Sequence, residues 1–151
     1  VLSAAGAEVA LVEGDERLKK LTYAEDFAAL PAPVFRVGMG YDVHRLVSGE
    51  ELWLGGVRIA HDKGLAGHSD ADVVLHALVD AILGALGDGD IGTHFPPSDA
   101  RWKGAPSSLF ARHAAELARR SGYAVANVDC TIVCEAPRIG PHREAMRACI
   151  A

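Results

Sequence analysis

The sequence has 151 residues, which is enough for one ordinary domain and too few for two complete ones. Half of the residues are apolar and 23% are charged, a balance typical of a globular protein with a buried core, so disorder of the whole chain is excluded. Twenty acidic residues against fifteen basic ones give a net charge of −5 without a dense run of Lys or Arg, which disfavours nucleic acid as a partner. No apolar stretch is long enough to cross a bilayer and no export-type segment opens the chain, so we expect a cytoplasmic protein that binds no membrane.

The first thirty residues predict one short helix and little else. Residues 9–12 form a brief apolar run, and residues 22–30 have the pattern of a capped short helix. The Pro31-Ala32-Pro33 step that follows cannot continue a helix and favours extended backbone. We therefore expect three regions: an N-terminal segment at residues 1–30, a linker at 31–35 and a main domain at 36–151.

Three segments of the main domain predict strands. Val34 to Val43 is rich in β-branched residues, and Leu52 to Ile59 has the same character with a break at Gly55-Gly56. We expect these two segments to form a hairpin with a loop at its tip. Val128 to Val133 alternates in the manner of a further strand.

The longest predicted helix follows Ser69 and Asp72, whose spacing is that of a helix-capping pair. Its apolar residues recur at helical spacing and should face the core. They are Val74, Leu75, Leu78, Val79, Ile82, Leu83 and Leu86.

Two further helices and a loop complete the pattern. Ser107 or Ser108 should cap a second helix that Gly122 closes, and Pro141 should open a third. Residues 87–92 form a Gly-Asp-rich loop. Because strands and helices alternate without an internal repeat, we predict an α/β fold of the α+β sandwich type, with a mixed sheet and helices packed on one face.

The three cysteines predict free thiols. Their number is odd in a chain without an export signal, which disfavours a disulfide framework. A zinc site at Cys130 and Cys134 would need a second pair of ligands nearby. We expect Cys130, Cys134 and Cys149 to be buried as small apolar residues.

A candidate metal site combines the first predicted strand with the long helix. Asp42 and His44 are two residues apart, so their side chains point to the same side of a strand. His76 lies one helical turn after Asp72 and one before Asp80, on a face distinct from the apolar stripe. One carboxylate and two imidazoles are the ligand count of a zinc-type site with an open position, although Asp-x-His alone is more often a salt-bridged pair. Asp80 could orient His76, but we favour a carboxylate that faces water.

Four blocks of the main domain resemble, in order and spacing, the 2-C-methyl-D-erythritol 2,4-cyclodiphosphate synthase family, from Arg36 to Ala151. The first thirty residues resemble more loosely the end of 2-C-methyl-D-erythritol 4-phosphate cytidylyltransferase, through residues 9–14 and 22–27. The two resemblances together imply a bifunctional fusion. The four blocks are Asp42-Val43-His44, His68-Ser69-Asp70 with Asp72 and His76, Gly89-Asp90-Ile91-Gly92 with Phe95-Pro96, and Ala136-Pro137-Arg138 with Pro141-His142.

The resemblance implies a role for each matching residue. Asp42, His44 and His76 would be catalytic ligands of a divalent metal, typically zinc. His68 would be catalytic and, with Ser69, would contact the erythritol and phosphate end of the substrate. The remaining substrate contacts would be Asp90, Ile91 and Gly92, and a cytidine loop of Ala136, Pro137, Arg138 and Ile139 supplied in the family by a neighbouring subunit of a homotrimer.

The reaction implied is cyclisation of 4-diphosphocytidyl-2-C-methyl-D-erythritol 2-phosphate to 2-C-methyl-D-erythritol 2,4-cyclodiphosphate with release of CMP, in non-mevalonate isoprenoid precursor biosynthesis. The family's second metal, magnesium or manganese, takes a Glu from a Lys-Ala-Thr-Thr-Thr-Glu strand that this sequence does not contain. We therefore expect the chain to keep the first metal site and to turn over poorly. The alternatives are a metal-dependent phosphohydrolase with the same three ligands and an inactive assembly fragment of a bifunctional enzyme.

The other notable aromatic residues predict structural roles. We expect Trp53 and Trp102 to be packing or surface residues. We expect His142 to cap or pack at a helix start. The remaining histidines show no partner pattern and should lie at the surface. They are His61, His94 and His113.

Overall fold

The structure is a computed structural model that describes residues 6, 12–15, 18–30 and 35–151. The chain divides into two compact units, Val1–Val34 and Phe35–Ala151. Two sequence predictions lie outside the described residues: the apolar run at 9–12, except for residue 12, and the Pro31-Ala32-Pro33 step.

The short helix of the N-terminal unit is confirmed as α1, Ala24–Ala28. Its start is held by Asp26, whose carboxylate accepts the backbone N–H groups of Thr22 and Tyr23 at 3.0 Å each. Those N–H groups have no partner within the helix, so an acidic side chain in the first turn satisfies them. Lys19 pairs with the same carboxylate at 3.2 Å.

The strands of the second unit form two antiparallel pairs. β1 (Leu46–Ser48) pairs with β4 (Lys63–Leu65), and β2 (Leu52–Leu54) pairs with β3 (Val57–Ile59). The break at Gly55-Gly56 is a two-residue turn with φ of 57° and 76°, which is the left-handed backbone that such a hairpin needs. The hairpin therefore lies within residues 52–59, and the predicted pairing of this segment with Val34–Val43 is wrong.

Two predicted strands carry no strand pairing in the structure. Residues 35–43 and 128–133 are outside every ladder of the described chain, so the mixed sheet is replaced there by two small antiparallel sheets. A β-branched alternation favours extended backbone, but a strand also needs a neighbour with which to exchange hydrogen bonds. Val37, Met39 and Tyr41 are 80–90% exposed, so the outer face of the first segment is also uncovered in the described chain.

The long helix, α2, spans Val73–Leu86 and ends at Gly87, whose φ is 73°. Asp72 alone is its N-cap, so the prediction that Ser69 starts the helix is corrected by one turn. The carboxylate of Asp72 accepts N–H groups from Val74 and Leu75 at 3.1 Å, which is the capping function expected of Asp. None of the helices in the described part of the chain is long and apolar enough to span a membrane.

Three further helices follow: α3 (Ile91–His94), α4 (Ser107–Arg120) and α5 (Arg143–Ile150). Short 3-10 turns precede α4 and α5, at Ala100–Trp102 and Gly140–His142. Pro141 thus lies in the turn that leads into α5. Gly122, with φ of 80°, ends α4 as predicted.

The apolar residues of α2 pack in two separate hydrophobic cores. Val74 packs with the β-hairpin and α5 in a first core, and Val79 and Leu83 pack with α4 in a second. Each fully buried Leu or Val contributes roughly 1.5–3 kcal/mol to folding. The first core contains Leu52, Leu54, Ile59, Leu65, Ala71, Val74 and Met146, and the second contains Val79, Leu83, Phe110 and Ala114.

The cysteines are free, as predicted, but they are exposed rather than buried. Cys130 and Cys134 lie on the unpaired segment after α4, where no neighbouring strand of the described chain covers them. Burial of a thiol requires a packing partner, and the sequence pattern alone did not reveal that this segment lacks one.

Candidate metal centre

The extended segment that carries Asp42 and His44 lies directly against the backbone of α2. A Cβ atom added at Gly38 would lie 1.8 Å from the carbonyl oxygen of Ala81, and one added at Gly40 would lie 1.8 Å from that of Ala77. Two residues of extended chain advance about as far as one helical turn. Every second residue on the side that faces α2 therefore lies against a successive turn of the helix. The next residue on the same side, Asp42, therefore reaches His76.

Asp42, His44 and His76 converge on one point, and we call them the triad. Nδ1 of His76 lies 3.0 Å from Oδ2 of Asp42, and Nε2 of His44 lies 3.7 Å from the same oxygen. The three potential ligand atoms all lie within 4.8 Å of one another. The two rings are nearly perpendicular, at 85°, with centroids 5.6 Å apart, so each ring presents one nitrogen to the shared space.

The triad keeps its carboxylate charged. Partial burial raises the pKa of Asp42, but the hydrogen bond from His76 and the nearby His44 and His76 rings outweigh burial and lower the pKa below its ordinary value. A further backbone N–H, from Val43, donates to Oδ1 at 2.7 Å. An ionised carboxylate beside two imidazoles is a donor set suited to a zinc-like divalent cation.

The far nitrogen of each triad ring is held by a polar group. Nδ1 of His44 lies 3.5 Å from the carbonyl oxygen of Ala71, and Nε2 of His76 lies 2.8 Å from Oγ of Ser107 and 3.0 Å from Oγ of Ser69. Metal-binding histidines characteristically donate their second N–H to such acceptors. The donor atoms and their supporting bonds thus fit a bound metal.

The carbonyl at Ala71 is set by an uncommon backbone conformation. Ala71 has φ of 57°, in the left-handed region that a residue with a Cβ rarely occupies, and it is 1% exposed. Strain of this kind persists where the surrounding structure holds it and is concentrated at functional sites. Ala71 lies between Asp70 and Asp72, the N-cap of α2, and its carbonyl oxygen faces His44.

Sequence reasoning missed two residues at the site, Asp70 and Ser107. The carboxylate of Asp70 accepts both the backbone N–H of Ser107, at 2.9 Å, and its hydroxyl. The N-terminus of α4 is therefore capped by a side chain 37 residues earlier, and not by Ser107 or Ser108 as predicted. No spacing rule could have revealed this contact, because it joins two distant loops.

The neighbouring residues His68 and Ser69 have different environments, and Ser69 contacts the triad. Ser69 is partly buried, and its hydroxyl contacts His76 and accepts the N–H of Ala71 at 3.1 Å. His68 is exposed, and its carbonyl oxygen accepts the N–H of Gly104 at 2.8 Å. His68 is thus exposed to solvent, one residue before Ser69.

The Gly-Asp-rich segment is partly helical, which corrects its prediction as a loop. Asp90 caps α3 and accepts the backbone N–H and the hydroxyl of Thr93, and these two bonds lower the pKa of Asp90. Ile91 packs against the second core, while Gly92 lies within α3. Asp80 does not simply face water, since its carboxylate accepts the N–H of Ile91 at 2.8 Å.

The residues matched to a cytidine loop lie before the 3-10 turn that leads into α5. Ala136 and Arg138 are exposed, Pro137 is half-buried after a cis peptide bond, and Ile139 packs against the first core. Within residues 35–151, no hydrogen bond joins this loop to the triad.

The other singled-out aromatic residues have local partners. His94 and His113 contact each other, with Nδ1 of His94 3.2 Å from Nε2 of His113, which the sequence did not predict, and we call them the surface histidine pair. Trp53 donates to Glu51 at 3.1 Å, and Trp102 packs edge-on against Phe95. Both tryptophans are thus packing or surface residues, as predicted.

Comparisons with known proteins place this geometry in a family. The model of the YgbB family matches residues 35–151, which is most of the chain and all of the second unit. The chain belongs to the YgbB family. The triad and its supporting loop therefore lie within the YgbB region.

Relatives of this YgbB-family chain include longer fused proteins. The bifunctional enzyme IspD/IspF of Erythrobacter litoralis is 70% identical over 151 residues, which cover 100% of this chain and 39% of the relative. The chain thus spans about two fifths of the length of the curated relatives it matches.

Two of the solved structures that resemble the chain are a synthase and a bifunctional protein. A 2C-methyl-D-erythritol-2,4-cyclodiphosphate synthase described as a CDP-bound form is 41% identical, with a TM-score of 0.72, over 76% of this chain and 77% of that one. The bifunctional IspDF from Campylobacter jejuni is 38% identical, with a TM-score of 0.74, over 99% of this chain and 42% of that one.

Proposed function

We propose that residues 36–151 form a cyclodiphosphate synthase domain. It converts 4-diphosphocytidyl-2-C-methyl-D-erythritol 2-phosphate into 2-C-methyl-D-erythritol 2,4-cyclodiphosphate and releases CMP, within isoprenoid precursor biosynthesis in the cytoplasm. The observation that carries the proposal is the convergence of Asp42, His44 and His76 in a chain that is 41% identical to a synthase of this name.

The triad would hold one divalent cation, and its two imidazoles and one carboxylate favour zinc. When bound, such a cation supplies Lewis-acid charge neutralisation where two phosphate groups must approach each other. We propose that a second cation, magnesium or manganese, accompanies it at the diphosphate of the substrate.

The protein's own residues mainly bind and orient the substrate. The attacking group is the substrate's 2-phosphate, which is largely ionised near neutral pH because its second pKa is about 6, so no protein base is required. We propose that the exposed ring of His68 and the hydroxyl of Ser69 contact the erythritol and phosphate end. Holding the two phosphates in line replaces a chance encounter by an oriented one.

The rest of the substrate would be held by two segments farther along the chain. We propose that Asp90, Ile91 and Gly92 bind beyond the erythritol, where Asp90 is exposed to solvent. We propose that residues 136–139 hold the cytidine of a neighbouring subunit's substrate. The CDP ligand of the similar synthase supports a cytidine-binding role.

We propose a homotrimer with active sites between subunits and, in that assembly, a sandwich with a mixed sheet. Residues 37, 39 and 41 present apolar side chains that are 80–90% exposed on a segment without a strand partner in the described chain. Apolar area of this kind is stabilised when a neighbouring chain covers it. Light scattering of the purified protein, expected to give three times the mass of one chain, tests this assembly.

We propose that residues 1–30 are the end of a cytidylyltransferase domain, followed by a linker at 31–35. Relatives that match the whole chain are bifunctional enzymes, which supports a fusion.

The reaction is tested with the natural polypeptide that carries these residues, the synthetic substrate and zinc plus magnesium. We expect phosphorus NMR to show equal amounts of cyclic diphosphate and CMP, and a His44→Ala variant to form neither. Release of inorganic phosphate instead would indicate a phosphohydrolase, and zinc-independent turnover by His44→Ala would contradict the role of the triad.

A further inference from the structure

The imidazole of His76 has a second set of contacts that the ligand role alone does not require. We propose that Ser107 and Asp70 are positioning residues that fix the tautomer and orientation of His76, so that Nδ1 is presented to the metal. This inference rests on the proposed metal site, because a fixed Nδ1 lone pair has this consequence only when a cation binds there.

The Ser107 hydroxyl has a single proton to donate. The hydroxyl contacts a carboxylate oxygen of Asp70, and a carboxylate can only accept. Ser107 therefore donates to Asp70, and its oxygen is left as an acceptor. Nε2 of His76, 2.8 Å away, must then carry the proton that it donates to Ser107.

The Asp70 carboxylate, which accepts the last of these hydrogen bonds, is itself held by several backbone groups. Asp70 accepts the backbone N–H of Ser107 at 2.9 Å and that of Asp72 at 3.2 Å. Its own N–H donates to the carbonyl of Ala105 at 3.1 Å. Nδ1 shares a proton with Asp42 at 3.0 Å until a cation displaces it, and because Nε2 keeps its own proton, the Nδ1 lone pair is then directed at the cation.

Burial makes this arrangement costly to break. Ser107 is 0% exposed and His76 is 9% exposed, so water has little access to either end of their bond. Ser69 is compatible with the same proton pattern, because its hydroxyl can donate to Ser107 at 3.3 Å while it accepts from Ala71. Each lone pair of the Ser107 oxygen is then used.

The experiment measures zinc affinity by competition with a chromophoric chelator in the natural polypeptide. We expect Ser107→Ala to weaken zinc binding about 10- to 100-fold, the usual effect of losing an acceptor behind a metal-binding histidine. Ser108→Ala is the matched control, since the neighbouring serine makes no hydrogen bond to His76 in residues 35–151, and it should bind zinc as the wild type does.

A spectroscopic readout separates positioning from general stability. In the zinc-loaded wild type, two-bond ¹H–¹⁵N correlation should show the His76 proton on Nε2, exchanging slowly with water. Zinc on Nδ1 leaves the proton on Nε2 in Ser107→Ala as well, so the expected difference is fast exchange of that proton with water and not a change of tautomer. Equally slow exchange of the Nε2 proton in Ser107→Ala and in the wild type would overturn the proposal, whatever the affinities.

Two further variants make the outcomes distinguishable. If Ser107→Ala does not fold, Asp70→Asn takes its place and should weaken zinc binding at least about threefold, because an amide no longer commits the serine hydroxyl as a donor. If Ser107→Ala, or Asp70→Asn in its place, binds zinc as tightly as Ser108→Ala does, this inference alone is overturned. Equal affinity in His76→Ala and the wild type overturns the proposed metal site together with it.

Discussion

The triad and the surface histidine pair each place two imidazoles beside a carboxylate, but only the triad directs them to one point. In the triad, both rings approach the same oxygen of Asp42, at 3.0 and 3.7 Å. In the surface pair, His94 uses Nδ1 for His113 and Nε2 for Asp88, whose Oδ2 lies 3.6 Å away. In the surface histidine pair, Asp88 and His113 therefore lie at opposite edges of the His94 ring.

This difference shows that residue types near one another do not make a metal site. Nε2 of His94 already faces the carbonyl oxygen of Asp88 at 2.7 Å, so the groups around that ring satisfy one another. In the triad, the supporting groups occupy the far nitrogens and leave the near ones to converge. A zinc site needs three protein ligands on one side of the cation, with the remaining position open.

The largest expected effect comes from removing a converging ligand. His76→Ala should abolish zinc binding, with a loss of at least about a thousandfold, because two ligands rarely retain zinc against dialysis. His113→Ala should leave the zinc content at one ion per chain. Plasma emission after dialysis measures both. A loss of zinc from His113→Ala and not from His76→Ala would reverse the comparison.

A second expected effect concerns a buried carboxylate near the triad that is not a ligand. Asp72 is 0% exposed and accepts the N–H groups of Gly55 and Gly56 at 2.8 and 2.6 Å, besides capping α2. Asp72→Ala leaves these groups unpaired and should lower the free energy of unfolding by about 3 kcal/mol. Urea denaturation measures this.

The control for this substitution is Asp62→Ala, at a carboxylate that is 79% exposed, which should change stability by less than about 0.5 kcal/mol. An equal effect of the two substitutions would show that the link between the hairpin and α2 is not stabilising.

A third expected effect tests how the extended segment delivers Asp42. Gly40→Ala forces the segment away from α2, because the new Cβ would lie 1.8 Å from the carbonyl oxygen of Ala77. Zinc affinity should fall about tenfold or more, since ligand geometry tolerates only small displacements. Gly84→Ala, on α2 with nothing within 4 Å of the added Cβ, should leave affinity unchanged. Chelator competition would contradict the account if both variants bound zinc like the wild type.

The smallest expected effect is at an exposed ion-pair cluster on α4, one helical turn after His113. Hydrogen bonds from Arg119 and Arg120 lower the pKa of Glu116 from 4.5 to about 2. A lowered carboxyl pKa stabilises the fold above about pH 4.5, and this contribution is lost as the pH falls through about 2. Glu116→Gln should thus lower Tm by about 1–2 °C at pH 7, with a difference that shrinks on acidification. A growing difference in acid, by calorimetry, would contradict this sign.

The sequence predicted the elements of local origin well. The capped short helix at 24–28, the apolar stripe of α2 and the αL glycine after α4 each depend on residues close in the chain. The residues of the triad were also predicted, because strand and helix periodicities gave each side chain a direction and the family resemblance combined the two elements. The structure brings those residues together.

What the sequence could not predict depends on distant contacts. Strand pairing failed for residues 34–43, because an alternating pattern does not specify which neighbour exchanges hydrogen bonds. The contact of Asp70 with Ser107 joins two loops that only the packing of α2 against α4 brings together. The role of Asp80 was missed for the same reason, since its acceptor function depends on where α3 begins.

Zinc-edge anomalous diffraction from crystals of the zinc-loaded protein tests the central claim most directly. We expect one dominant peak about 2.0–2.2 Å from Oδ2 of Asp42, Nε2 of His44 and Nδ1 of His76. A zinc peak only at His94 and His113, or no peak between residues 42, 44 and 76, would contradict it.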